Sequence, residues 1–174
     1  MGVPMLLLSL AFIMSDRAFA REVCDVDQPI SIVELRDVLD SCLVPVGTRI
    51  SIRVEEVDTQ PQKPGIGFRS NDSALNENGK GVLDGVASLI AARSRLRINV
   101  VGYADSHETG DLLGLSYRRA ESATKYLVEK GVEPGRIETV AGGVEVVIDA
   151  TGTYEGQARN RRVEFVILTS EPVK

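Results

Sequence analysis

Residues 98–121 read INVVGYADSHETGDLLGLSYRRAE, a pattern typical of a buried strand, a polar turn and an amphipathic helix. The β-branched residues at its start favour a central strand, and Gly102 ends that strand where the backbone must turn or be approached closely. From Leu115 onward, apolar and small residues recur at helical spacing, which places Arg119 on or beside the side that faces the sheet. We therefore expect Asp105, just past the strand, and Arg119 to converge on one concave spot.

Asp105 and Arg119 have complementary binding chemistry. A carboxylate can bind an ammonium group, and a planar guanidinium can bind a carboxylate through two parallel hydrogen bonds. The amino terminus of the helix adds a field that favours an anionic group. The pair therefore suits a ligand that carries both charges. The same spacing is equally consistent with an internal salt bridge between the two side chains.

The composition predicts one globular domain with a small amino-terminal extension. The chain has 174 residues, of which 43% are hydrophobic and 26% are charged, and this is enough to bury one core. A net charge of −5 argues against nucleic-acid binding, which requires a basic face. Arg159, Arg161 and Arg162 form the dense basic cluster, which we expect to be the solvated edge of a strand.

The first twenty residues have the pattern of an export signal. Val3 to Met14 is an apolar run too short to span a bilayer, and Ala18 to Ala20 supply the small residues that a signal peptidase requires. We predict cleavage after Ala20, a mature chain in the periplasm and no membrane span in that mature chain. An uncleaved anchor is the alternative, because no Lys or Arg precedes the apolar run. An association with the outer membrane or with an envelope complex is left open.

Cys24 and Cys42 are the only cysteines. In an exported chain an even count favours a disulfide, and two thiols alone cannot complete a structural zinc site. Two free, buried cysteines are the alternative. A short helix is expected from about Ser31 to Ser41, with Cys42 on its buried side. Arg-Glu-Val before Cys24 argues against a lipid anchor.

A polar linker separates the extension from the domain. Ile50 to Val54 alternate as a half-buried strand does, and residues 58–64, DTQPQKP, are typical of a loop. Whether that strand joins the sheet of the domain stays open. The predicted division is a signal peptide at 1–20, an extension at 21–63 with the Cys24–Cys42 disulfide, and a domain at 64–174.

Strands and helices alternate within the domain. The expected elements are a short strand at Ile66–Phe68, a helix capped by Asn76 and ending near Ala92, a strand at Arg97–Gly102, a helix at Gly114–Lys130 ended by Gly131, and strands at Arg136–Ala141 and Val163–Leu168. This βαβαββ order predicts an α+β fold of two layers, with helices on one face of a mixed four-stranded sheet. The long region 142–158 is expected to be functional or partly helical.

Five motifs resemble one known family. They are Gly-Tyr-Ala-Asp at 102–105, Leu-Ser-x-x-Arg-Ala at 115–120, Gly-Val at 131–132, Arg-Ile at 136–137, and Ala-Arg-Asn-Arg-Arg-Val-Glu at 158–164. The pattern resembles the OmpA C-terminal-like family, of the OmpA, Pal and MotB type, over about residues 64–168. The resemblance implies an OmpA-like fold that binds peptidoglycan non-covalently. It also suggests an envelope protein complex as a second candidate partner. Such a protein would anchor or space an envelope component at the cell wall.

The resemblance also implies roles for individual residues. Asp105 would accept the ammonium of a diaminopimelate in the stem peptide, and Arg119 would clamp the neighbouring carboxylate. Asn160 and Arg161 would lie near the ligand groove. Diaminopimelate carries an amine and an acid on one carbon at the end of its side chain, so this site must match opposite charges a few ångströms apart.

Three features depart from the family pattern. Tyr103 and Ala104 replace a His-Thr pair, Leu112 replaces an asparagine, and the loop after Asp105 is one residue shorter. Loss of the amide removes a hydrogen bond worth about 0.5–1.5 kcal/mol. These departures favour an alternative, in which the fold has lost its ligand and serves as a periplasmic protein–protein interaction module.

Neither an enzyme nor a cofactor or metal site is expected. His107 is the only histidine, and no serine or cysteine nucleophile is visibly paired with it, so we interpret it as a solvated loop residue. Asp105, Glu108 and Asp111 do not have the spacing of a calcium loop, and we interpret Glu108 and Asp111 as ordinary loop charges.

Overall fold

The computed structural model describes residues 36–37, 39, 47–50 and 66–169. Its elements are β1 (Arg49–Ile50), α1 (Glu77–Ala91), β2 (Arg97–Gly102), α2 (Leu112–Glu129), a 3-10 turn (Pro134–Arg136), β3 (Ile137–Ala141), α3 (Tyr154–Asn160) and β4 (Val163–Thr169). The predicted signal peptide, both cysteines and the linker lie outside the described residues. Within the described ranges, none of the helices has the length and apolar character needed to cross a bilayer.

The strands form a mixed sheet in the order β1-β4-β2-β3. β2 pairs in parallel with β3 and antiparallel with β4, so that Val100 lies opposite Thr139 on one side and Phe165 on the other. β1 adds two residues antiparallel to β4, with Arg49 opposite Val166. The body of the sheet is therefore three strands, and a short piece of the extension joins its edge.

The predicted first strand at Ile66–Phe68 is not formed as expected. This segment makes a single antiparallel bridge, between Gly67 and Arg162. Pairing stops there because the chain turns at 69–72, where Asn71 takes a positive φ of 57°. The prediction of a four-stranded sheet that includes this segment is therefore wrong in its first strand.

Helix α1 confirms its predicted cap and apolar side. The Asn76 side chain accepts a hydrogen bond from Gly79 N at 2.7 Å, which satisfies one of the unpaired donors at the helix start. The apolar residues at helical spacing are all buried: Val82, Leu83, Val86, Leu89 and Ile90. They pack with the sheet residues into one core.

Helix α2 begins two residues earlier than predicted, because Asp111 caps it by accepting from Gly114 N at 2.9 Å. Its end at Glu129 is followed by Gly131, which has a φ of 92° and closes the helix as predicted. Arg119 is completely buried, at 0% exposure, and this confirms its predicted position on the sheet-facing side.

Gly102 fixes the distance between β2 and α2. A Cβ added at Gly102 would lie 2.0 Å from the backbone oxygen of Ser116 and 2.8 Å from the backbone nitrogen of Ala120. The strand end and the first turns of the helix therefore touch backbone to backbone, and this contact positions the intervening loop and Arg119. The prediction of a close approach at Gly102 is confirmed.

Candidate functional site

Arg119 is the centre of a hydrogen-bond network at the end of β2. Its Nε donates to Asp72 O at 2.9 Å, its Nη1 to Tyr103 O at 3.1 Å and its Nη2 to Arg69 O at 3.1 Å. These carbonyls belong to the turn before α1 and to the residue after β2. The arginine therefore joins two loops that are far apart in the sequence.

Glu108 is the charged partner of Arg119. Its Oε2 accepts from Nη1 at 2.7 Å and its Oε1 from Nη2 at 2.6 Å, a bidentate pair with both side chains buried. The same two oxygens accept the backbone N–H groups of Asp105, at 2.9 Å, and Asn71, at 2.6 Å. All five N–H bonds of the guanidinium and four acceptor positions of the carboxylate are thus engaged.

The interpretation of Glu108 as an ordinary loop charge is wrong. Burial alone would raise its pKa, but the hydrogen bonds from Arg119 and from the two backbone N–H groups hold the pKa of Glu108 below its usual value. The alternative of a direct Asp105–Arg119 salt bridge is also not realised. Asp105 meets this network through its backbone, and its side chain points to other partners.

Asp105 is a buried carboxylate held by hydrogen bonds. Its Oδ1 accepts from His107 N at 2.9 Å and contacts His107 Nδ1 at 2.8 Å, and its Oδ2 accepts from Asn160 Nδ2 at 2.8 Å. Burial raises its pKa, but the bonds from Asn160 and His107 outweigh burial and hold the pKa of Asp105 below its usual value. Asp105 is therefore ionised at neutral pH.

Asn160 connects the long loop to Asp105. Besides donating to Asp105, it donates to Asp149 O at 2.9 Å and accepts from Ile148 N and Asp149 N at 3.1 Å each. The amide makes four hydrogen bonds, all within the protein, so it positions Asp105 rather than offering a free group. It is the last residue of α3, which confirms that region 142–158 is partly helical.

The two arginines after Asn160 are buried, at 3% and 1% exposure for Arg161 and Arg162. Arg162 donates to Glu164 at 2.8 Å and lies 4.1 Å from the centre of the Tyr103 ring. Arg161 donates from Nε to Phe68 O at 3.0 Å, and its guanidinium lies 5.9 Å from the exposed ring of Tyr154. The expectation of a solvated strand edge is wrong for these two residues, because both side chains are buried and donate hydrogen bonds inside the fold.

The Arg161 guanidinium differs from that of Arg119 in its free donors. Among the described residues, only Phe68 O receives a hydrogen bond from it, so Nη1 and Nη2 have no protein acceptor there. Arg161 therefore has N–H groups available for an acid from outside the protein.

The side chains of Tyr103 and Ala104 lie outside the Arg119–Glu108 hydrogen-bond network, whereas the shortened loop carries Glu108 itself. Tyr103 is buried against Arg162, and its hydroxyl accepts from Arg49. Ala104 is buried, and its N–H donates to Gly143 O at 2.8 Å. Leu112 is the first residue of α2. Tyr103 thus contributes its backbone oxygen to Arg119 while its side chain packs elsewhere.

The signal for Glu108 is present in the sequence. An arginine predicted on a buried helix side requires a counter-charge, because an unpaired buried charge is strongly unfavourable. Glu108 stands three residues after Asp105 in the turn that leads to that helix. From spacing alone, Asp105 and Glu108 are equally suitable as the counter-charge of Arg119, and only the turn geometry distinguishes them. Within the described ranges, no group of three or more His, Cys, Asp or Glu is arranged to hold a metal ion.

The Asp149 carboxyl group makes the stability of the fold depend on pH in the acid range. Hydrogen bonds from the hydroxyl and backbone N–H of Thr151, and then from Arg159, lower the pKa of Asp149 to about 2, against an ordinary value of about 3.9. When folding lowers the pKa of a carboxyl group, the resulting stabilisation is fully present at a pH above the pKa of the unfolded state. It is lost as the pH falls through the pKa of the folded state. We expect Asp149→Asn to be less stable than the wild type at pH 7, with the difference shrinking between about pH 4 and pH 2. Thermal unfolding across this range checks it, and a difference that does not change with pH contradicts it.

Comparison with known proteins shows which family and which proteins this chain is similar to. A model of the OmpA family matches residues 67–161. The chain is 42% identical over 104 residues to Outer membrane protein A of Bordetella avium, covering 59% of this chain and 54% of that protein. It is 35% identical over 103 residues to the peptidoglycan-binding protein ArfA of Mycobacterium tuberculosis, covering 59% of this chain and 32% of that protein. The chain thus spans about half or less of these relatives.

A solved structure supports the same fold. The peptidoglycan-associated lipoprotein of Burkholderia pseudomallei superposes with a TM-score of 0.56 at 23% identity, covering 59% of this chain and 87% of that chain. Its α+β arrangement of helices on a mixed sheet agrees with the one described above. The resemblance inferred from the five sequence motifs is confirmed.

Proposed function

Because the chain belongs to the OmpA family, we propose that it binds peptidoglycan non-covalently and holds an envelope component at the cell wall. The ligand group at the centre of this proposal is the amine of diaminopimelate in the stem peptide. The activity is binding without catalysis. A relative at 35% identity that is itself a peptidoglycan-binding protein supports it.

The observation that carries the proposal is the ionised carboxylate of Asp105. Described residues fill three of the four acceptor positions of its two oxygens, which leaves one position on Oδ2 for a further donor. The His107 side chain that covers Oδ1 is 58% exposed, so it can be displaced towards solvent. An ammonium group is a donor of the right charge for both oxygens.

The remaining site residues have different capacities to meet a ligand. Arg119 can donate hydrogen bonds to a ligand acid only if one of its present acceptors leaves. Its role as a clamp therefore stays a prediction. Asn160 would act by holding Asp105 in place. Arg161 has free N–H groups and would bind an acid elsewhere on the stem peptide.

Asp105→Asn tests the proposal. We expect at least a tenfold loss of affinity for isolated peptidoglycan in a sedimentation assay, because a charge-assisted bond to the amine is worth about 1.5–3 kcal/mol. Free diaminopimelate should compete with the wild type. Glu129→Gln removes the same charge from an exposed position at the far end of α2, and it should bind as the wild type does. Equal sedimentation of the Asp105 variant, with thermal unfolding unchanged, would count against Asp105.

The alternative is a fold that has lost the ligand and docks a protein instead. The internal pairing of Arg119 with Glu108 favours it, because the cation predicted to receive the ligand acid is already neutralised. Under this alternative, the wild-type protein fails to sediment with peptidoglycan at any concentration that gives clear binding for a peptidoglycan-associated lipoprotein. The sedimentation assay thus separates the two functions.

We further propose that the protein works in the periplasm. Cleavage after Ala20 and a Cys24–Cys42 disulfide are parts of this proposal that rest on the sequence. The family and the matched outer membrane protein support a place in the cell envelope.

A further inference from the structure

Glu108 occupies the position on Arg119 that a ligand carboxylate would take. The two N–H···O bonds of 2.6 and 2.7 Å have the parallel arrangement by which a guanidinium binds an external acid. The other three N–H bonds of Arg119 go to backbone carbonyls. Since a guanidinium has five N–H donors, none is left for a second carboxylate.

Exchange of Glu108 for a ligand acid is unfavourable. The incoming acid would form the same two bonds to Arg119 that Glu108 gives up. In addition, the backbone N–H groups of Asp105 and Asn71 would lose their acceptor in a buried region. The exchange therefore gains nothing and leaves buried donors unpaired.

A second acid beside Glu108 is also repelled. Glu108 Oε2 lies 2.9 Å from Asp105 N, so the two carboxylates belong to one tight turn. A diaminopimelate amine bound at Asp105 would carry its neighbouring acid towards this turn, since both groups are on one carbon. The acid would lose water and face two negative charges without a free donor from Arg119.

We infer that this site recognises its ligand through the amine, that it does not bind the carboxylate on the same carbon, and that Glu108 sets this specificity. The inference rests on the proposed function and names the class of stem peptide that fits. The side chain of that peptide ends in an amine without a free carboxylate. Diaminopimelate amidated at that carbon meets this requirement, and so does lysine, which is diaminopimelate without that carboxyl group.

Three stem tripeptides that differ only in the third residue test this specificity. The third residue is diaminopimelate, its side-chain amide or lysine, and binding to the full chain is measured by calorimetry or by NMR titration. We expect the amide and lysine peptides to bind at least about threefold more tightly than the diaminopimelate peptide. A tighter complex with the diaminopimelate peptide overturns the inference.

Glu108→Gln tests the assignment to this residue. The neutral amide leaves the charge of Arg119 without a counter-charge and removes the repulsion, so the affinity ratio of the diaminopimelate peptide to its amide should rise about tenfold. Glu129→Gln should leave the ratio unchanged. A folded Glu108→Gln protein with the wild-type ratio overturns the role of Glu108. If thermal unfolding shows that this variant does not fold, the wild-type ratio still decides whether the acid is read.

Arg161→Gln tests whether Arg161, the second cation of the site, binds the acid of diaminopimelate. Under this inference the free N–H groups of Arg161 bind an acid that all three peptides share, so we expect the variant to weaken all three by a similar factor. Selective loss of the diaminopimelate peptide would show that Arg161 reads the acid, and it would overturn the inference.

Binding of peptidoglycan and selectivity for the amine can be overturned separately. Absence of binding to all three peptides, together with absence of sedimentation with peptidoglycan, overturns the proposed function and the inference with it. Sedimentation and peptide binding with a preference for diaminopimelate overturn only the inference and leave the proposed function standing.

Discussion

Arg119→Ala is expected to lower the free energy of unfolding by about 3–5 kcal/mol. The substitution leaves Glu108 as a buried carboxylate without its cation, and it leaves three backbone carbonyls without their donors. Desolvation of the unpaired charge dominates this effect. Urea unfolding of the variant and the wild type at pH 7 measures it. Loss of peptidoglycan binding by this variant would therefore not identify Arg119 as a ligand contact.

Arg118→Ala is the matched control, because Arg118 is the exposed neighbour of Arg119 on the same helix. Its effect should stay within about 0.5 kcal/mol. Combining Arg119→Ala with Glu108→Ala should cost at least about 2 kcal/mol less than the sum of the two single changes, because the double variant leaves no unpaired charge. Additive effects would contradict the pairing of these two residues.

Gly102→Ala is the second change with a large expected effect, a loss of at least about 3 kcal/mol. The new methyl group would lie 2.0 Å from Ser116 O and 2.8 Å from Ala120 N. Both are backbone atoms of α2, so no side-chain rotation can relieve the overlap, and β2 and α2 must move apart. Thermal and urea unfolding would measure the loss. A wild-type midpoint would contradict the backbone contact described here.

Gly81→Ala provides a control of opposite sign. Gly81 is exposed in α1, and a Cβ there would meet no atom within 4 Å. The substitution should stabilise the protein by about 0.5–1 kcal/mol, because alanine loses less conformational freedom than glycine in a helix. Opposite signs for the two Gly→Ala changes would show that the effect at Gly102 comes from contact and not from backbone entropy.

Local patterns predicted most of the elements of this domain. The apolar spacing of α1 and the β-branched run of β2 each depend on residues close together in the sequence. Caps at Asn76 and Asp111 act within three residues of their own position. The short strand at Ile66–Phe68 was predicted wrongly because pairing depends on a distant partner, Arg162, and on the turn that follows.

Helix and strand periodicity were enough to place Arg119 on or beside the sheet-facing side of α2 and Asp105 just past β2, because the period fixes which side of an element a residue occupies. Which charges pair depends on the three-dimensional fold. The turn after β2 brings Glu108 to the guanidinium, and α3 brings Asn160 to Asp105 from 55 positions away. Such pairing depends on distances between loops, which carry no repeating pattern, and a shift of a few ångströms exchanges one carboxylate for another.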